Sequence, residues 1–283
     1  MTNRISFLNG QFIEHDKAFV HIEDRGFQFA DGVYEVILFS QGKLVDGVPH
    51  MQRLFRSLTE VKIKHNFSQE NLIKTALELF AKNNLSEGSL YLQITRGAAN
   101  RVPWCPQGLE PTLVMTVSVA KKVSPEEFAA GLNLMTHDDI RWHRCDIKTV
   151  GLLASTLINQ KAKDAGFNDA IFVRAGVVTE GTFANLFFID QDGALVTKDA
   201  DNFILQGITR NRILDLAKKN GIKVIEKSFG VDELMQAKEV FMSSSTLLIR
   251  PVTKIDGKMI GDGVVGPISN QINKLYQNFL SRN

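Results

Sequence analysis

The sequence has only two cysteines, Cys105 and Cys145, in 283 residues. Two cysteines are too few for a disulfide scaffold and are typical of a protein from a reducing compartment. No apolar run reaches the roughly 18–20 residues that a membrane-spanning helix needs. The first residues also lack the apolar stretch of a signal peptide. We therefore expect a cytoplasmic protein that makes no contact with a membrane.

An excess of charge of one sign is also absent. Thirty-three Lys and Arg residues stand against 31 Asp and Glu residues, which leaves a formal net charge of +2. Because nucleic-acid binding draws its affinity from many cationic contacts with phosphates, this near-neutral balance argues against nucleic acid as a partner.

Several common catalytic motifs are missing as well. The sequence has no Walker-type loop and no Gly-x-Gly-x-x-Gly run, which excludes the two usual phosphate-binding loops of nucleotide enzymes. It has no Gly-x-Ser-x-Gly motif of a serine hydrolase. Its six histidines and two cysteines lack the spacing of a zinc site, so we expect no bound metal.

The length favours about two domains. Predicted strands and helices do not alternate regularly, which disfavours a Rossmann or (β/α)₈ layout and favours two α+β domains. A polar, proline-bearing stretch predicts a linker over 121–131, between an N-terminal α+β domain (1–120) and a C-terminal cofactor-binding domain (132–283).

Turn and periodicity patterns predict the main elements. Asn9-Gly10 predicts a hairpin near the N-terminus, and Ser68 is placed to cap a helix that follows it. A helix is predicted over 152–165, with Leu153, Leu157 and Ala162 on one apolar face. Other strands are predicted at 34–39, 91–95, 113–119, 132–136, 170–174, 177–179 and 185–189, and other helices at 207–220 and at the C-terminus.

One lysine is placed where it could act as a nucleophile. Lys148 lies in the run RWHRCDIKT, just before an apolar helix, although a lone lysine on a loop is more often simply solvated. Glu180 ends a predicted strand pair, and Gly207-Ile208-Thr209 precedes a helix whose N-terminus could bind a phosphate. A Schiff-base lysine, a carboxylate and amide donors are the groups that pyridoxal phosphate requires.

These segments resemble the fold-type IV pyridoxal-phosphate enzymes, and most closely the bacterial D-amino-acid aminotransferases. The resemblance implies a two-domain α+β fold with a small N-terminal α/β domain and a larger, barrel-like C-terminal α/β domain. The matching runs, spread in order from Glu23 to Thr246, are EDRGFQFADGVYEV, HMQRL, LQITRG, DIRWHRCDIKT, VTEGTFANLF, ILQGITR and SSST.

The resemblance assigns roles to individual residues. Lys148 would hold pyridoxal 5′-phosphate as a Schiff base and then carry the proton, and Glu180 would pair with the pyridine nitrogen. Tyr34 would lie near the cofactor and the substrate. Arg141 and Arg144 suit a supporting role beside Glu180 and a surface role equally well. The implied contacts to the rest of the cofactor come from Arg53, Ile208, Thr209, Ser244 and Ser245 at the phosphate and from Leu205 against the ring.

The substrate site departs from the family pattern. Arg101 matches an arginine that binds the substrate carboxylate, but a histidine expected two residues later is replaced by Pro103, which has no N–H to donate. In relatives this loop comes from the neighbouring subunit, so the resemblance also implies a homodimer.

The activity implied is transfer of the amino group of a D-amino acid, D-alanine above all, to a 2-oxo acid such as 2-oxoglutarate. A branched-chain or broad L-amino-acid transaminase and an (R)-amine transaminase on the same fold stay open as alternatives. An aminodeoxychorismate lyase and a binding protein without catalysis are less favoured, the latter because both Lys148 and Glu180 are present.

Overall fold

A computed structural model describes residues 4–120 and 122–282. The chain forms two compact units. Of the described residues, the first unit holds 4–120 together with Ile147–Gly151, and the second holds Lys122–Asp146 and Leu152–Arg282. The division into domains at 121–131 stays a prediction. Residues 1–3, 121 and 283, which fall at the ends of the predicted domains and linker, lie outside the described residues.

The first unit is built on an antiparallel sheet of six strands in the order β2-β1-β6-β5-β3-β4. The hairpin turns at Asn9-Gly10, as predicted, with both residues at positive φ. The strands are β1 (Ile5–Leu8), β2 (Gln11–Glu14), β3 (Gly32–Ser40), β4 (Lys43–Leu44), β5 (Gly88–Thr95) and β6 (Thr112–Ser118).

Three helices accompany this sheet: α1 (Arg25–Phe29), α2 (Gly47–Glu60) and α3 (Gln69–Lys82). Ser68 caps α3 as predicted, because its hydroxyl accepts a hydrogen bond from the backbone N–H of Asn71. The apolar sides of α2 and α3 and the inner sheet residues form one core, which includes Ile37, Met51, Leu54, Leu79, Phe80 and Leu92.

The second unit contains a nine-stranded mixed sheet. Its strands follow the order β12-β11-β10-β13-β14-β7-β8-β9, with β15 paired to β14. The sheet curls so that its last strand returns to β10, where Gly181 N–H donates to the carbonyl of Ala184 at 2.7 Å. The strands are β7 (Leu132–Asp138), β8 (Asp169–Arg174), β9 (Val177–Gly181), β10 (Asn185–Ile189), β11 (Leu195–Thr197), β12 (Val224–Glu226), β13 (Glu239–Ser244), β14 (Leu248–Ile255) and β15 (Lys258–Met259).

The helices of this unit are α4 (Pro125–Ala130), α5 (Leu153–Asp164), α6 (Ile208–Lys219), α7 (Val231–Met235) and α8 (Pro267–Arg282). None of the helices in the described part of the chain is long and apolar enough to cross a membrane. The core of the unit gathers Leu134, Ile171, Leu186, Val240, Met242 and Ile255, among others.

The stretch predicted as a linker contains α4, since Ser124 and Glu127 form a reciprocal capping box at its start. One local prediction in this unit was wrong. On α5, the buried residues include Ile158 and Ala162, whereas Leu153 and Leu157 are exposed. Apolar spacing alone cannot tell a face that packs inward from one that faces outward.

Candidate active site

Lys148 extends the sheet of the first unit. The segment Ile147–Gly151 pairs with the start of β3, where Tyr34 N–H donates to the carbonyl of Lys148 and Val150 N–H donates to the carbonyl of Gly32, both at 3.0 Å. These backbone hydrogen bonds hold the lysine backbone on a strand of the unit rather than on a free loop.

The amine of Lys148 faces an aromatic ring. Its Nζ lies 4.3 Å from the centroid of the Tyr34 ring, within the range of a cation–π contact. Tyr34 is buried, and its ring lies 5.7 Å from that of Tyr91. Burial, followed by the neighbouring Tyr34, raises the pKa of the Tyr91 phenol to about 12. The structure thus brings two predicted site residues, Lys148 and Tyr34, into direct contact.

Arg53 belongs to a buried charged cluster on α2 and β3. Its Nε and Nη2 donate to the two carboxylate oxygens of Glu35, at 2.8 and 2.7 Å. His50 Nδ1 lies 2.8 Å from the same carboxylate. Burial would raise the pKa of Glu35, but the charge and hydrogen bonds of Arg53, helped by His50, lower it to about 2. Arg53 is therefore held by an ionised partner that the sequence did not reveal.

Arg101 lies on the irregular connection between β5 and β6. Its side chain is exposed, and its guanidinium carbon lies 4.9 Å from the centroid of the Phe29 ring. Phe29 ends α1, so an aromatic ring from a distant part of the sequence supports the predicted carboxylate-binding residue.

In the second unit, Glu180 stands at the end of β9 in a cluster of hydrogen-bond donors. Arg141 Nη1 donates to its Oε1 at 2.6 Å, Asn185 Nδ2 donates to its Oε2 at 3.0 Å, and the backbone N–H of Leu205 lies within 3.2 Å of both oxygens. Arg141 therefore supports Glu180, which settles one of the two roles left open. Arg144 instead forms its ion pair with Asp146.

The start of α6 is a second feature of this unit. Gly207 occupies the N-cap position, where no side chain accepts from the first turn, and Ile208 and Thr209 open the helix. A Cβ at Gly207 would lie 2.1 Å from Oδ1 of Asn185, so only glycine fits there. Asn185 thus touches both the Glu180 carboxylate and the turn before α6, and the sequence motifs did not single it out.

Serine hydroxyls at the end of β13 complete this region. Ser243 lies directly opposite Asn185 in the register of β13 and β10, and paired residues share one face of a sheet. The Ser243 hydroxyl is buried without a hydrogen-bond partner. Next to it, Ser244 accepts from the backbone N–H of Leu247 at 3.1 Å, and Ser245 follows the strand.

These residues fit pyridoxal 5′-phosphate. The ion-paired cluster around Glu180 suits a protonated pyridine nitrogen. The glycine-capped helix start suits a phosphate, since exposed N–H groups and the helix dipole favour an anion. The unpartnered Ser243 hydroxyl is a further donor for such a group. Asn185 links Glu180 to the turn before α6 in one unit. Among the described residues, no cluster of three or more His, Cys, Asp or Glu side chains is arranged to hold a metal ion.

The predicted site residues are distributed over both units. Each prediction of a role stays a prediction. The first unit carries Tyr34, Arg53, Arg101 and Lys148, and the second carries Glu180, Leu205, Ile208, Thr209, Ser244 and Ser245.

Comparison with known proteins gives matches over nearly the whole chain. Residues 32–255 match the family model described as amino-transferase class IV. The chain is 41% identical to a D-alanine aminotransferase of Bacillus licheniformis over 270 residues, which are 95% of each protein.

Two solved structures are similar in fold. The branched-chain amino acid aminotransferase of Escherichia coli superposes with a TM-score of 0.91 at 27% identity, covering 99% of this chain and 95% of the other. A putative 4-amino-4-deoxychorismate lyase of Legionella pneumophila superposes with a TM-score of 0.83 at 25% identity, covering 93% of this chain and 96% of the other. The matches confirm the fold class and the cofactor predicted from the sequence.

Proposed function

This chain belongs to the class IV aminotransferase family, and from that premise we propose that it transfers the amino group of a D-amino acid to a 2-oxo acid. D-Alanine and 2-oxoglutarate are the proposed pair, giving pyruvate and D-glutamate. The observation that carries the proposal is the 41% identity to a D-alanine aminotransferase, against 27% to the branched-chain aminotransferase of nearly the same fold.

Lys148 is the proposed catalytic residue. Pyridoxal 5′-phosphate, when bound, supplies the electron sink that makes the substrate Cα–H bond acidic. Lys148 would bind this cofactor covalently and, once displaced by the substrate amine, would carry the proton from Cα to the cofactor carbon C4′. The contact between its Nζ and the Tyr34 ring supports this role, because the ring restricts where the amine can point.

Glu180 is the proposed partner of the pyridine nitrogen. Arg141, Asn185 and the backbone of Leu205 hold its carboxylate. A fixed negative charge at that point keeps the nitrogen protonated and so increases electron withdrawal. Leu205, whose N–H makes one of these contacts, would support the ring.

Five residues are proposed to bind the phosphate. A guanidinium can engage a dianion with two parallel hydrogen bonds, which suits Arg53, and the start of α6 offers backbone amides. The proposed set is Arg53, Ile208, Thr209, Ser244 and Ser245.

The substrate is proposed to be bound by Tyr34 and Arg101. Pro103 has no N–H, so the carboxylate site must differ from one that combines an arginine with a histidine. This difference supports keeping an (R)-amine transaminase, whose amine donor carries no carboxylate, as the second candidate.

A homodimer is part of the same proposal. Large apolar side chains are exposed in each unit, namely Phe19, Ile22 and Phe27 in the first and Leu153, Leu157 and Phe183 in the second. Exposed apolar surface of this kind favours association. Sedimentation equilibrium should give twice the mass of one chain, and a monomer at assay concentration would contradict it.

A cytoplasmic location also belongs to the proposal. It is supported by the two cysteines, which are both free. Cell fractionation followed by immunodetection tests it.

The activity is tested by mixing the protein, pyridoxal 5′-phosphate, D-alanine and 2-oxoglutarate and following pyruvate. Turnover is expected with D-alanine and not with L-leucine. Lys148→Ala should abolish turnover and the visible absorption band of the lysine-bound cofactor, whereas Lys74→Ala, at an exposed position on α3, should change neither. Good turnover with L-leucine or with an (R)-amine, and none with D-alanine, would refute the proposal in favour of an alternative.

A further inference from the structure

The loop that carries Arg101 is anchored on the segment before and within α1. Arg25 N–H donates to the carbonyl of Gly97 at 2.9 Å, and Ala99 N–H donates to the carbonyl of Glu23 at 3.2 Å. Between these two bonds, Asp24 pairs with residue 98 as an isolated β-bridge. The first residues of the loop therefore continue a short ladder rather than hang free.

The two ends of the loop are also closed on each other. Gly97 has φ +98°, and a Cβ there would lie 2.0 Å from the carbonyl oxygen of Glu110. Only glycine permits this approach, which brings the start and the end of the loop together.

Arg25 also binds the loop at Val102, one residue after Arg101. Its buried side chain donates through Nη1 to the carbonyl of Val102 at 2.9 Å and through Nε to Asp31 at 2.8 Å. The guanidinium carbon of Arg25 lies 4.5 Å from the centroid of Phe29, the same ring that Arg101 meets at 4.9 Å. One buried arginine and one ring thus constrain both the backbone and the side chain at Arg101.

The hydrogen bond from Arg25 reaches the loop next to Pro103, the residue at which this sequence departs from the family pattern. Val102 lies between Arg101 and Pro103, and Pro103 can donate no hydrogen bond from its backbone or its side chain. The backbone of Pro103 therefore offers only its carbonyl, and one residue earlier the Val102 carbonyl accepts the hydrogen bond from Arg25.

We propose that Arg25 and Phe29 are positioning residues that orient Arg101 toward the substrate carboxylate. The inference rests on the proposed function, in which Arg101 binds that carboxylate. A guanidinium that is already ordered loses less rotamer entropy on binding an anion, so the anchoring lowers KM rather than raising kcat.

Arg96 provides a matched control. It is also a buried arginine paired with Asp31, at 2.7 Å. Its other side-chain hydrogen bonds go to the second oxygen of Asp31 and to the carbonyls of Lys62 and Val61 after α2, and not to the loop. R96K therefore weakens a comparable buried ion pair on the carboxylate that Arg25 also uses, and leaves in place both partners of the hydrogen bond between Arg25 and Val102.

The experiment compares R25K, F29L and R96K in the holoenzyme with D-alanine. Lysine at position 25 can pair with Asp31 but lacks the second nitrogen through which Arg25 donates to the Val102 carbonyl. R25K and F29L should raise KM for D-alanine about tenfold and change kcat less than about twofold. R96K should lower the thermal midpoint and leave KM unchanged.

A double-mutant cycle separates orientation of Arg101 from a general structural effect. In an R101Q background, R25K should have almost no further effect on kcat/KM, because its target is gone. An equal loss in both backgrounds, or a rise in KM for R96K as large as for R25K, would overturn the inference. If the wild-type enzyme did not use D-alanine at all, the proposed function itself would fail and this inference with it.

Discussion

Glu35 shows how a proposed binding residue, Arg53, can depend on a neighbour that the sequence motifs did not single out. Its carboxylate is fully buried and receives two hydrogen bonds from Arg53 and one contact from His50. An arginine buried without this partner would be costly, since removing one member of a buried ion pair leaves an uncompensated charge. The position of Arg53 thus depends on the ionisation of Glu35.

Replacing Glu35 should make stability less dependent on pH in the acidic range. The pKa of Glu35 falls from 4.5 to about 2 on folding, so its contribution is complete above pH 4.5 and is lost as the pH falls toward 2. The shift corresponds to about 3 kcal/mol. E35Q should lower the thermal midpoint strongly at pH 7, and the difference from wild type should shrink below pH 4.5.

The matched control for E35Q is E78Q, because Glu78 forms an exposed ion pair with Lys82 on α3. Exposed pairs of this kind contribute little, so its midpoint should hardly move. An E35Q midpoint equal to that of wild type at pH 7 would refute the role of Glu35. Retention of pyridoxal 5′-phosphate on dialysis gives a second readout, and E35Q should lose the cofactor faster.

The two cysteines should differ in reactivity. Cys105 is exposed, whereas Cys145 is buried and donates to the carbonyl of Trp142. Burial is the main cause that raises the pKa of the Cys145 thiol to about 11. Since the thiolate is the reactive form, a thiol reagent should label one cysteine per native chain, and C105S should abolish that fast reaction. Fast labelling of two thiols in the native protein would contradict this expectation.

At the scale of elements, the turn before α6 requires glycine at position 207, because a larger residue would clash with Asn185. G207A should displace Asn185, which holds Glu180 and the carbonyl of Leu205 at 3.0 and 2.8 Å. We expect a weaker affinity for pyridoxal 5′-phosphate, by about tenfold or more, measured by fluorescence titration of the apoprotein.

Gly221, beyond the other end of α6, is the control for G207A. It has φ +75° and open space around it, so G221A should cost about 1–2 kcal/mol of stability and leave the cofactor affinity unchanged. Equal affinities for wild type and G207A would show that Asn185 does not couple the two parts of the site.

Elements with strong local patterns were predictable from the sequence, and their orientation was not. Asn9-Gly10 and Ser68 are local turn and cap patterns, and both predictions are confirmed. Leu153 and Leu157 obey helical spacing yet are exposed. The buried side of α5 is the one that packs against the sheet, and spacing alone does not reveal which side that is. Asn185 was missed since a lone asparagine in a strand has no distinctive spacing.

At the scale of the whole molecule, the charge balance bears on how an anionic substrate arrives. A net charge of +2 produces little long-range attraction. We expect kcat/KM for 2-oxoglutarate to change less than about threefold between about 0.01 M and 0.15 M salt. A tenfold fall would show that long-range steering matters and would contradict this expectation.

The resemblance to a known family supplied the candidate site residues. It could not predict which structural unit each part of the chain joins. The sequence placed Lys148 in the C-terminal part because the predicted linker precedes it. The structure groups Ile147–Gly151 with the first unit, through backbone bonds to Gly32 and Tyr34. Pairing between residues more than a hundred positions apart has no local sequence pattern from which it could be predicted.

This pairing has a consequence for how the protein is made. A ribosome delivers the chain in order, so β3 emerges long before the segment that covers its edge at Gly32–Tyr34. The first unit cannot be completed from its own continuous stretch and must wait for residues 147–151. Among the segments that pair in the first unit, the one that carries Lys148 is therefore the last to be synthesised.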